Sequence, residues 1–180
     1  LGKQLKQVAK VVKARTVLAE ERQIFFVKLG GFDTHASLFE TVQLKMQEID
    51  AAVSSWATEM KLEGVWDDVA LLEVSDFGRK LRTNGAGTDH AWAGHYFLAG
   101  GGLRPGRIHG RYPRDLSDES DLNVGSGGRV LPTTSWDAVW HALGQWFGVP
   151  DALMPQLLPN FAHWDAARDF LAKEQVFAGG

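Results

Sequence analysis

The stretch FFVKLGGFDTH, residues 25–35, runs an apolar segment into two glycines and then into an Asp and a His. Residues 23–29, QIFFVKL, have strand length and are rich in Phe and Val, which predicts a buried β-strand. Folding alone does not require Gly30, Gly31, Asp33 and His35 at the end of such a strand. Glycines allow a tight backbone turn, and a site placed at the strand's end would use the acid and the imidazole.

The flanking sequence extends this reading. Residues 2–19 repeat apolar positions every three to four residues, with Leu1, Leu5, Val8 and Val12 on one face and lysines on the solvated one. Residues 38–62 predict a long helix, whose stripe runs through Leu38, Val42, Leu44, Met46, Ile49, Val53, Trp56, Ala57 and Met60. Gly64 is its stop signal. A second apolar run follows, VALLEVSDFG at 69–78, again ending in an acid and a glycine. Strand, helix, strand reads as a βαβ unit with parallel neighbours and a right-handed crossover. That topology brings Asp33 and Asp76 to one sheet edge, where α/β proteins bind ligands.

Residues 82–95, RTNGAGTDHAWAGH, read as a polar glycine-rich loop, and HYFLAGGG at 95–102 as a third short strand. Residues 104–128 read as a long surface loop, of a length that is uncommon without function or hairpin structure. Pro132 and a Thr134-x-x-Asp137 box open a helix that Gly148 ends. LLPNFAHW reads as a terminal segment packed on the domain.

Composition bounds the function. The 180 residues, 44% of them hydrophobic, suffice for one sizeable core and suggest a single domain. A net charge of −3 gives no general attraction to nucleic acid or anionic membranes. No apolar run reaches the length of a membrane span. Without cysteine there are no disulfides, thiolate metal sites or thiol nucleophiles. The opening LGKQLKQVAKVVKA has neither an initiator Met nor a signal-peptide pattern. It reads as an internal stretch of a longer protein.

Three acid- or His-bearing segments carry candidate chemistry: Asp33 with His35, Asp76 in SDFGR, and Asp89-His90 in GTDH. Carboxylates with imidazoles suit zinc, manganese or iron, and carboxylates alone suit magnesium or calcium. A bound cation would activate water or polarise a phosphoryl or sulfuryl oxygen. Arg79 is placed to hold an anionic substrate through its guanidinium fork. Each segment also has a plain structural reading. Asp33 could cap the next helix, His35 could be a first-turn surface residue, and Asp76 could pair with Arg79 at a turn. His95 reads as a loop-packing residue, and His109, His141 and His163 as structural or surface residues.

In order along the chain, GGFDTH, SDFGRKLRTNGAGTDHAWAGHYFLAGGG, VLPTTSWDAVWHALGQWFGV and LLPNF resemble the bacterial domain-of-unknown-function family numbered 1501. The resemblance implies membership of the alkaline phosphatase and sulfatase superfamily. The fold expected is α/β, a parallel-rich sheet flanked by helices, with this chain as the C-terminal part. It also implies twin-arginine export and a periplasmic or secreted location. By resemblance, Asp33, His35, Asp76 and His90 are metal ligands, Asp89 orients or ligates, and Phe77 stands where the superfamily has a second His. The superfamily's nucleophile lies in the N-terminal half, so the expected partners are that remainder of the chain and a small or polysaccharide anionic ester. The alternative is a non-catalytic secreted binding or accessory module, with Trp92, Trp136 or Trp140 stacking on sugars.

Overall fold

In the computed structural model, which describes residues 1–179, the chain opens with α1 (Gly2–Lys13) and a further helical turn, α2 (Arg15–Leu18). Leu5, Ala9 and Val12 recur at helical spacing and bury the inner face of α1. They pack on α3 (Leu38–Leu62) through Ala52, Trp56 and Met60. The long helix has the predicted bounds, and Gly64, at φ +69°, follows its C-terminus. Its predicted stripe is buried only towards the C-terminal end. Leu44 and Met46 are exposed, because α1 covers the later turns and not the earlier ones.

The strands overturn the expected parallel-rich α/β sheet. Among the described residues there are two sheets of two strands each, both antiparallel. In one, β1 (Leu71–Leu72) pairs with β4 (Leu98–Ala99). In the other, β2 (Gly78–Thr83) pairs with β3 (Thr88–Ala91) across a bulged hairpin. The run at 23–29 is not a buried strand. Ile24 is 82% and Phe26 84% exposed, and the segment makes no backbone–backbone hydrogen bond among the described residues. Its backbone is tied instead to the Gln4 side-chain amide, which accepts from Lys28 N–H (2.9 Å) and donates to Lys28 O (2.7 Å). A parallel sheet needs pairing along its strands and cover on both faces. Residues 23–29 have neither, so no βαβ unit forms. The second run, 69–78, contributes β1 and, in Gly78, the first residue of β2, and both pair antiparallel.

The C-terminal third packs around α4 (Trp136–Phe147). Its N-cap is Ser135, one residue beyond the expected box, and Ser135 Oγ accepts from Ala138 N–H at 3.1 Å. Gly148, at φ +94°, ends it as expected. Three single-turn helices follow: α5 (Met154–Leu157), α6 (Ala166–Asp169) and α7 (Lys173–Val176). They fold back so that Leu158 and Phe170 cover Ala138, and Val176 and Phe177 cover Ala142. Ala70 and Leu98 also pack on that last cluster, while Leu71 packs on the α1–α3 cluster. The β1–β4 ladder therefore lies between the two parts of the core. Residues 104–128 form turns without helix or extended ladder, as the sequence suggests.

Candidate metal centre

The hairpin β2–β3 occupies sequence that reads as a polar loop. The Asn84-Gly85 pair was its signal, since Asn-Gly is a strong hairpin cue. Asn84 Oδ1 accepts from Ala86 N–H and Gly87 N–H, and Asn84 N–H donates to Gly87 O, closing the turn. Strand β3 then carries His90 opposite Arg79 of β2. The Asp33–His35 loop folds over the same region. Thr34 holds that loop, its hydroxyl donating to Ala36 O while Thr34 N–H donates to Phe32 O at 2.9 Å.

These two pieces meet. His90 Nε2 lies 2.7 Å from Asp33 Oδ1, and His35 Nδ1 lies 3.8 Å from the same oxygen. One ligand atom from each of the three residues falls within 4.8 Å of the others. The two imidazoles are 5.2 Å apart at 30°. All three side chains are open to solvent, so a ligand has direct access. Two imidazole nitrogens and one carboxylate oxygen form a donor set that fits zinc or manganese better than magnesium or calcium.

Around the trio, three neighbours set the geometry. Phe77 stacks face to face on His90, ring centroids 4.0 Å apart and planes at 11°. Arg79 donates from Nη2 to Phe32 O at 2.7 Å and from Nη1 to Thr88 O. One guanidinium thus ties the Asp33 loop to the hairpin. Gly87 lets the hairpin turn press on that loop, because a Cβ there would sit 3.2 Å from the His35 carbonyl carbon and oxygen. Thr34 and Gly87 were not singled out from sequence. Thr34 acts within its own loop, through Phe32 and Ala36, whereas Gly87 acts through a contact with a segment about fifty residues away that no local pattern encodes.

The other two residues expected as ligands lie outside the trio. Asp89, beside His90 in sequence, has its carboxylate 3.0 Å from Lys80 Nζ and 3.1 Å from Asn84 Nδ2. Those two hydrogen bonds hold its carboxyl below the usual carboxylate range. Neighbouring strand positions point to opposite faces, which separates Asp89 from His90. Asp76 is exposed in the turn before β2 and does not join the three-residue group. Of the remaining histidines, His95 stacks on Tyr112, and His141 stacks on Phe170 with its Nδ1 2.8 Å from Leu171 O.

Residues 2–124 match the sequence pattern of a family described as "Protein of unknown function (DUF1501)". The chain belongs to that family. Every candidate ligand of this DUF1501 chain, together with Phe77 and Arg79, falls inside the matched span, whereas α4 and everything after it lie beyond. No curated protein and no solved structure matches the chain. No helix among the described residues is long and apolar enough to cross a membrane.

Proposed function

We propose that Asp33, His35 and His90 hold one divalent cation, zinc or manganese, in the service of phosphate- or sulfate-ester hydrolysis. The observation that carries this reading is the convergence of three ligand atoms, from segments far apart in sequence, within 4.8 Å. A cation there would supply Lewis acidity, activating water and polarising the ester oxygen. Three protein ligands leave coordination positions open, the arrangement of catalytic rather than structural zinc. Arg79 commits two N–H groups to backbone carbonyls and keeps others, since a guanidinium has five donors. Its positive charge beside the trio favours an anionic ester.

No hydroxyl nucleophile is assigned. Ser75 Oγ donates to Phe77 O at 3.1 Å, and the Thr34 hydroxyl is committed to Ala36. That commitment supports a second reading, a non-catalytic binding or accessory module that keeps the metal. On either reading, export to the periplasm is part of the proposal and rests on the family resemblance alone.

Elemental mass spectrometry tests the metal. The chain is incubated with zinc, manganese, magnesium and calcium, and excess is removed. Near-stoichiometric zinc or manganese, lost in both Asp33→Ala and His90→Ala, is the expected result. Metal-free protein, or retention unchanged by both substitutions, overturns the assignment. With metal retained, turnover of nitrophenyl phosphate or sulfate separates the hydrolase from the binding module.

A further inference from the structure

His90 supplies one of the three ligand atoms, yet it is half exposed on a short strand at the end of a hairpin. An imidazole there can rotate about both side-chain torsions unless something holds it. The one polar contact of its side chain among the described residues, Asp33, is itself a proposed ligand and so must move when the cation enters. The Nε2–Oδ1 separation of 2.7 Å is a hydrogen-bond distance, shorter than two ligands of one ion usually stand. What fixes the ring must therefore be something other than Asp33.

Phe77 is the neighbour that meets this need. Its ring lies 4.0 Å from the imidazole and nearly parallel to it, at 11°. Phe77 itself is held: the Arg79 guanidinium carbon lies over its ring at 5.5 Å, and that guanidinium is anchored by Phe32 O and Thr88 O. The backbone is fixed as well. Gly78, the next residue, is buried, and any Cβ there would come within 1.9 Å of Ala93 O. Phe77, immediately before β2, meets both His90 and Arg79, which are in register across the hairpin.

Building on the metal reading above, we propose that Phe77 is a positioning residue for the metal centre, stacking on His90 to hold Nε2 towards Asp33 and His35 before the cation arrives. Arg79 is the brace behind it. Phe77 contributes no ligand atom. Its effect is on how much ordering the ligand still needs when metal binds. A purely space-filling role would be met equally well by leucine, which is apolar but cannot stack.

The test compares wild type, Phe77→Leu and Phe77→Tyr. Two quantities are read: zinc affinity by competition with a chromophoric chelator, and the His90 ring proton shifts by NMR in the metal-free protein. Residues held in the α1–α3 core report folding in the same spectra. In Phe77→Leu, zinc should bind roughly 10- to 100-fold more weakly, the usual cost of losing a group that orients a ligand. The His90 ring protons should also lose the upfield shift imposed by a stacked ring. Phe77→Tyr should preserve both. If wild type binds zinc and Phe77→Leu binds it equally well, positioning by Phe77 is overturned while the metal site stands. If wild type binds neither zinc nor manganese, the metal reading falls, and positioning for metal falls with it. Unchanged His90 shifts in Phe77→Leu would overturn the stack directly.

Discussion

Glu73 shows how one residue can be read only after folding. In sequence it is a polar interruption in an apolar run, VALLEVSD. In the structure its N–H donates to Phe97 O at 3.0 Å, and its half-buried carboxyl is pushed up by desolvation. The same carboxylate, after burial, helps raise the neighbouring Tyr96 hydroxyl. Because the folded chain favours protonated Glu73, its contribution to stability is full below the unfolded carboxyl range, about 4.3. It is lost as pH rises through the elevated folded value. Glu73→Gln should therefore raise the melting temperature near pH 7 and leave it unchanged at about pH 3.5. Thermal unfolding followed at both pH values checks this, and a shift of the same size at both would refute the burial argument. Asp33, His35 and His90 were each legible from sequence as candidate ligands. Phe77 was legible only as a departure from the expected pattern, because stacking depends on the hairpin register.

At the level of elements, helices were far more legible than strands. The repeat in α3 fixes its face within its own residues, and Ser135 and Gly148 bound α4 by local cap chemistry. A strand's burial depends on what lies beside it. Residues 23–29 have strand composition, yet their pairing edges meet no backbone partner among the described residues. The apolar run was real; the neighbour it called for is not among those residues. The hairpin at 78–91 was missed for the opposite reason, its polar residues hiding a strand pair that turn chemistry specified. The exposure of Phe26 has a direct consequence. Phe26→Lys should change folding stability by no more than about 0.5 kcal/mol, as for a surface site. Urea unfolding measures it. A loss above about 2 kcal/mol would restore the buried-strand reading.

For the whole molecule, the question is whether the α1–α3 core and the α4 core unfold together. Met60 is fully buried in the first, and Met154, 1% exposed, lies against Gly144 of α4. Their link is the chain from Val69 to Leu71. Ala70 packs towards the α4 side and Leu71, the next residue and the first of β1, towards the α1–α3 side. Leu98, paired with Leu72 across the ladder, adds to the α4 side. Tight interiors transmit such constraints because side chains there leave few voids. Met60→Ala and Met154→Ala should each cost about 2–5 kcal/mol, the range for large-to-small changes in a core. If the β1–β4 seam couples the cores, each substitution should lower protection from hydrogen exchange equally in α3 and α4. Under conditions where exchange reports global opening, that equality means one cooperative unit. Loss confined to the helix nearest the substitution would mean two units that open separately. The ladder would then be a connection between them and not a shared part of the core.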